Sequence, residues 1–330
     1  MPRPFFAAPA IATLAALTFG SAVQADTLGV VAPDYFGSSW GPGPAIKEGF
    51  EARCGCVLEF RTGDVLPRLM LDGARLEADA VIGLGADELL RARQTGLFAP
   101  HGQNLAPLTV PVAWDDAQFI PFNWSYAAFV YDKTRLETPP ASFAELMDRG
   151  DISVIWQDPR SSGAGLALLL WVDQIYGDDA TAIWENLAAK TVTVTAGWSE
   201  AYGMFTNGEA DMVLSYTTSP AYHIMAEDDD TKAAAIFEEG HYFIAEAAGV
   251  LAGAAQPDLA REFMAYILSP EFQGMIATAN WSYPSALPQD DWHEVFRNLP
   301  MPERAIFLDE ATADARRSPA RAQWLDGMTR

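Results

Sequence analysis

The sequence predicts an α/β protein of two lobes joined by two long crossings. Three observations carry this expectation. Short apolar runs alternate with helical stretches from Thr27 onward, an order that gives a mostly parallel sheet with helices on its faces. Two apolar runs, Phe119–Tyr131 and His241–Val250, read as strands long enough to pass from one lobe to the other. Aromatic residues stand where strands and helices end rather than at core spacing, so they gather at one expected edge.

The elements follow in chain order. Leu28–Ala32 is a first strand, a loop covers 33–43, and a helix opens near Pro44, with proline in its first turn. Val57–Phe60 and Leu66–Ala74 form the next strand and helix. Ala80–Leu84 is the third strand, and Asp87 caps a helix 88–95 that stops at Gly96. After the first crossing, Ser142 caps a helix to Met147. Ile152–Trp156 is a strand leading into the polar loop 158–165. The helix Leu166–Tyr176 is apolar nearly all round and should be buried. Thr191–Thr195 is a strand, and Ser199 begins the helix 200–205. Asp211–Tyr216 is a strand ending in Thr217-Thr218-Ser219-Pro220, and helices 258–268 and 270–278 complete the pattern. The expected division is 26–122 for the first lobe, 123–245 for the second, and 246–330 for the return and C-terminal helices.

Composition narrows the function. The chain has 330 residues, 50% hydrophobic and 20% charged, with a formal net charge of −23. That profile excludes disorder and coiled coil as the main state. Such acidity opposes nucleic-acid binding, because polyphosphate would be repelled. Residues 1–25 read as a secretory signal peptide: Arg3, an apolar stretch from Phe5 to Leu17, then small residues ending at Ala25. Cys54 and Cys56 are one residue apart, too close for the usual zinc pairing. An oxidising destination favours a Cys54–Cys56 disulfide, and two reduced thiols on opposite faces of a strand are the alternative.

The candidate binding residues are the strand-end aromatics Trp40, Trp198, Tyr216, Tyr222 and Trp281. Taken singly, a tryptophan is more often core than contact. Taken together they suggest a cleft for a flat, positively charged ligand, since ring faces attract cations. Ser161, Ser162 and Gly163 open a helix, whose free N–H groups suit a phosphate or hydroxyl oxygen; a plain serine cap is equally consistent. Asp64 follows the second strand, where a carboxylate could hold an amine or oppose a charge, or simply cap a helix. No G-x-S-x-G, H-E-x-x-H or G-x-G-x-x-G signature occurs, and the four histidines show no metal spacing.

Several segments carry a family resemblance: Trp40-Gly41-Pro42-Gly43-Pro44, Cys54-Gly55-Cys56, Gln157–Ser162, Leu168–Trp171, Lys190–Tyr202, Leu214–His223, Glu239–Tyr242 and Asn280–Pro284. With them the chain resembles the periplasmic thiamine-binding proteins, soluble receptors of bacterial ABC importers, over about Leu28 to Pro284. The resemblance implies a type II periplasmic-binding fold, with thiamine or its mono- and diphosphate held between the lobes. It implies no cofactor and no catalysis, with an inner-membrane permease and its ATPase as partners. By the same resemblance Trp40, Trp198, Tyr222 and Trp281 match ring positions of the site. Ser162 and Gly163 match its helix-start loop, Tyr216, Thr217, Thr218, Ser219 and Pro220 its strand-end loop, and Asp64 its acidic loop. Pro33 stands where relatives carry an aromatic, which makes Tyr35 a further candidate beside Ser161. The weighed alternatives are a receptor of this fold for ferric ion or a polyamine, and an exported glycosidase.

Overall fold

The computed structural model describes residues 25–38 and 41–329. The expected signal peptide, apart from Ala25, and Trp40 lie outside the described residues. The strands are β1 (Thr27–Ala32), β2 (Val57–Thr62), β3 (Ala80–Gly85), β4 (Phe98–Ala99), β5 (Phe119–Asp132), β6 (Val154–Gln157), β7 (Thr191–Thr195), β8 (Met212–Tyr216), β9 (Lys232–Ala234), β10 (His241–Leu251), β11 (Tyr283–Pro284) and β12 (Ala305–Ile306). The helices are α1 (Gly43–Cys54), α2 (Val65–Asp72), α3 (Leu89–Gln94), α4 (Phe143–Asp148), α5 (Gly163–Tyr176), α6 (Ala180–Lys190), α7 (Trp198–Thr206), α8 (Ser219–Ala226), α9 (Pro257–Ile267), α10 (Pro270–Met275), α11 (Glu294–Asn298) and α12 (Glu310–Met328). Among the described residues no helix is long and apolar enough to cross a membrane.

The sheet runs in the order β2-β1-β3-β10-β5-β8-β6-β7. Its two ends are parallel, through β1–β2, β1–β3, β6–β7 and β6–β8. The middle is not: β10 pairs antiparallel with β3 and β5, and β5 antiparallel with β8. The expected mostly parallel sheet is therefore a mixed one. The cause is the two crossings, which return through the sheet in opposite directions instead of looping over it. Residues 119–126 of β5 pair with β10, and residues 127–131 pair with β8. One strand thus belongs to both halves, and its side chains are buried almost throughout.

Each half has its own core. Leu28, Val30, Phe50, Ile82, Phe122 and Phe263 pack in the first, around α1 and α9. Trp156, Leu168, Trp171, Trp184 and Leu214 pack in the second. Helix α5 is buried from Ala164 to Asp173, as its all-round apolar sequence demands. Asp173 is tolerated inside because Arg316 of α12 reaches it through bonds of 2.6 and 2.9 Å.

Helix α12 is the last of the C-terminal helices. It lies mainly against α5 and α6, inserting Ala313, Ala320 and Trp324 into the second core. Its polar side reaches back to the first half, where Glu310 pairs with Arg93 at 3.2 Å and Arg317 donates to the Asp87 carbonyl. Asp87 does not cap α3 as expected. A 3-10 turn at 86–88 precedes that helix, which has no side-chain cap. Ser142 does cap α4, accepting from Glu145 N at 2.9 Å. Cys54 and Cys56 form a disulfide, with Gly55 at φ +64° terminating α1 in the left-handed region that glycine enters at no steric cost.

Candidate functional site

Three of the aromatic candidates, Trp198, Tyr222 and Trp281, are connected by a chain of ring contacts. Trp198, the first residue of α7, stacks on Tyr202 at 4.7 Å and 25°. Tyr202 stacks on His223 at 5.7 Å, His223 meets Tyr222 edge-on at 5.3 Å, and Tyr222 meets Trp281 at 5.1 Å and 88°. The path begins in the helix after β7, passes through α8, and ends on the segment before β11, which pairs with the first half of β5. It therefore joins the two halves of the fold. Sequence position places Trp198, Tyr222 and Trp281 here; Tyr202 and His223 are the links between them.

Hydrogen bonds fix the orientation of these rings. Trp198 Nε1 donates to Ser215 Oγ at 2.8 Å, and Ser215 Oγ is 2.7 Å from Ser219 Oγ. Ser219 Oγ also accepts from Tyr216 N at 3.2 Å. The strand-end loop thus holds the indole by its edge and leaves ring faces for stacking. His223 Nδ1–H donates to Glu227 Oε2 at 2.6 Å, so Nε2 accepts from the Tyr202 hydroxyl at 2.9 Å. His223, Glu227 and Asp229 lie within 4.8 Å of one another. Both histidine nitrogens are already engaged, and Asp229 is tied to Lys232 at 3.0 Å.

Trp281 has φ +54°, an uncommon conformation for a bulky residue. A single π-helical turn, 276–280, ends on it and projects it out of the helix. Such strain persists where the surroundings over-determine it, often at binding sites.

The remaining candidates fall into three positions. Thr217, Thr218 and Pro220 are buried. Thr217 N donates to Tyr126 O at 2.9 Å, and Thr218 Oγ1 lies 3.1 Å from Ser125 Oγ, so these residues anchor the loop to the crossing strand. Pro220 lies in the first turn of α8, where its missing N–H costs nothing. Ser162 caps α5 without a side-chain bond, and Gly163 is exposed beside it. Ser161 Oγ donates to Ala196 O at 2.8 Å, which draws this helix start to the turn before Trp198. Gly165 allows the close approach, since a Cβ there would lie 2.2 Å from the Gln157 carbonyl. Asp64 is exposed at the start of α2 and makes no side-chain cap bond.

One residue outside the expected set is held by Tyr35 and by Asn280, the neighbour of Trp281. Glu246 of β10 accepts from the Tyr35 hydroxyl at 2.8 and 2.9 Å and from Asn123 Nδ2 at 2.6 Å. Burial pushes its carboxyl above the usual range, while the bonds from Asn123, Tyr35 and Asn280 pull it down. Its field and burial raise the Tyr35 and Tyr216 phenols, with burial the larger cause for each. The sequence signal was available: a lone glutamate inside the apolar crossing His241–Val250. A cavity of about 290 Å³ beside Trp124, Tyr126 and Trp292 opens on the opposite face of β5. Those residues alternate with Asn123 and Ser125, so that cavity is separate from this cluster.

Residues 45–292 match the bacterial extracellular solute-binding protein family. The thiamine-binding periplasmic protein of Escherichia coli (strain K12) is 46% identical over 305 residues, covering 90% of this chain and 92% of its own. That of Brucella suis biovar 1 (strain 1330) is 40% identical over 323 residues, 96% of each chain. A solved periplasmic thiamin binding protein superposes with a TM-score of 0.89 at 44% identity, covering 94% of this chain and 98% of that one. An iron-bound HitA from Pseudomonas aeruginosa shares the fold alone, at 22% identity and a TM-score of 0.73. The fold is the type II periplasmic-binding fold, and the chain belongs to the family of periplasmic thiamine-binding proteins.

Proposed function

We propose that this protein is the periplasmic receptor of an ABC importer, capturing thiamine in the aromatic cleft and delivering it to the inner-membrane permease and its ATPase. The single observation behind the reading is the ring path from Trp198 to Trp281, which joins both halves of the fold. Thiamine presents a permanently charged thiazolium and a flat aminopyrimidine, and both suit aromatic faces. Relatives at 40–46% identity are named for thiamine, whereas the iron-binding neighbour shares only the fold, so thiamine is preferred over ferric ion or a polyamine. Those relatives are named as binding proteins, which argues against a glycosidase.

In this reading the lobes are 26–122 with the return from 246, against 123–245, with α12 strapped across both. Trp198, Tyr216, Tyr222 and Trp281 address the heterocycles, with Tyr35 as a further candidate and Trp40, outside the described residues, retained from the resemblance. The start of α5, at Ser161, Ser162 and Gly163, receives the hydroxyl or phosphate end through its free N–H groups. Thr217, Thr218, Ser219 and Pro220 hold the loop that carries Tyr216, and Asp64 is the loop carboxylate that opposes the charge or holds the amine. Closure of the lobes buries the ligand, as in hinge-bending receptors. Tryptophan fluorescence titration of the purified protein tests this. A saturable change at micromolar thiamine is expected, and thiamine mono- and diphosphate should give the same change. No response to any of the three refutes the assignment.

A further inference from the structure

We propose that Glu246 is the counter-charge of the cleft, an anionic subsite that selects ligands carrying a fixed organic cation. The inference rests on the thiamine reading above and names the group that recognises its charge. The segment around Glu246 is Phe243-Ile244-Ala245 on one side and Ala247-Ala248-Gly249 on the other. A carboxylate placed in such a strand costs folding stability unless something compensates it.

Nothing charged in the described structure does so. The groups that hold the carboxylate are Tyr35 from the 34–37 turn, Asn123 from β5 and Asn280 from the π turn, all uncharged donors. Tyr216 of β8 faces it as a phenol. On the β3 side the residue opposite Glu246 is Gly85, and the charges beyond it, Asp87 and Glu88, face Arg317. Among the described residues no lysine, arginine or histidine forms an ion pair with Glu246. Other carboxylates in similar surroundings have cations: Asp173 has Arg316 and Asp132 has Lys232. Neutral donors keep the Glu246 carboxylate in place, and the missing charge is left to the ligand.

The occupant is therefore a weakly hydrated organic cation, one that rings can line and a single carboxylate can neutralise. Binding is linked to a proton. Glu246 begins with a raised pKa, and a cation beside it lowers that pKa. Affinity for the cation thus rises with pH through the titration of the free carboxyl and levels off above it. A neutral ligand shows no such rise.

Calorimetric titration of the full chain tests this with three ligands from pH 4.5 to 8. They are thiamine, a 3-methylthiazolium salt, and the half 4-amino-5-hydroxymethyl-2-methylpyrimidine, which is uncharged and serves as the neutral control only at the alkaline end of that range. Glu246→Gln should weaken thiamine by about tenfold or more, the scale of one lost charge contact in a partly buried site, and flatten its pH dependence. The pyrimidine half should be unaffected, and the ligand-free Tm at pH 7 should not fall. Tyr35→Phe removes one donor to the ionised form, so it should move the midpoint of the affinity–pH curve upward. Equal loss of charged and neutral ligands on Glu246→Gln would make the residue merely structural and overturn the subsite. Unchanged thiamine affinity and pH profile in both variants would do the same. If the unmodified protein ignores thiamine, the receptor assignment fails instead. The subsite is then decided by the thiazolium salt, and no Glu246-dependent response to it overturns the inference.

Discussion

Truncating Trp198 to alanine tests the geometry of the ring path most directly, because its side chain does two things at once. It holds local structure, through the stack on Tyr202 at 4.7 Å and the bond to Ser215 Oγ at 2.8 Å. In the proposed reading it also offers an aromatic surface to the ligand. The stack contributes about 0.5–1.5 kcal/mol and the hydrogen bond a similar amount. The ring is only partly buried, so the loss stays below the ~3–5 kcal/mol of a fully buried tryptophan. About 2 kcal/mol of folding stability should disappear, and Tm should fall by roughly 3 °C. The ring's own contact with a cation adds about 0.5–2 kcal/mol, which weakens thiamine binding by roughly 2- to 30-fold. Trp198→Phe separates the two effects: it keeps a ring on Tyr202 and loses the indole donor, so binding should recover more than stability. Thermal unfolding and calorimetric titration of both variants give the two numbers. An alanine variant with unchanged Kd would remove Trp198 from the site. One with unchanged Tm would contradict the stack and the bond as described.

Further expectations concern the frame of the site. Gly165→Ala places a Cβ 2.2 Å from the Gln157 carbonyl, so the start of α5 must shift. Phosphorylated thiamine should lose more affinity than thiamine in paired titrations, and equal losses would detach this helix start from the phosphate. His241 is fully buried, with Nε2 accepting from Phe237 N at 2.7 Å and Nδ1–H donating to Ala127 O at 2.7 Å. A second proton has no acceptor, and burial lowers the pKa to about 4. The folded pKa lies below the unfolded ~6.5, so stability is complete above 6.5 and falls as pH drops toward 4, by about 3 kcal/mol in all. His241→Gln should remove that slope from urea unfolding measured at pH 7, 5.5 and 4; an unchanged slope assigns it elsewhere. Arg316→Ala leaves the Asp173 carboxylate unpaired inside the second core. Since Arg316 is partly exposed, about 2–3 kcal/mol of stability should be lost, and a Tm within 1 °C of the parent would refute the pairing.

The strand-helix alternation to residue 95 and both crossings were legible because their periodicities are strong. Helix α6 hides its pattern in Ala180, Trp184 and Leu187, too sparse an apolar stripe to stand out. Helix α12 buries mostly alanine and glycine and carries Pro319 within it, so neither hydropathy nor propensity marks it. Helix α8 was obscured by Pro220, which reads as a stop yet occupies a first-turn position. At the site, Tyr222 and Trp281 were readable as strand- or helix-end rings. Glu246 is masked by the apolar run around it, because loops, where water solvates a carboxylate, are the usual place for one. Asp64 is the loop carboxylate of the expected set, exposed at the start of α2.

The fourteen-residue strand β5 gives half its length to each side of the sheet. Neither half can therefore be excised as a self-sufficient piece, since each would lose a wall of its interior. Melting should proceed as one cooperative event, and a protease should release no stable fragment. Opening and shutting must be accommodated by flexure of two unbroken ribbons rather than by a swivel at a loose joint.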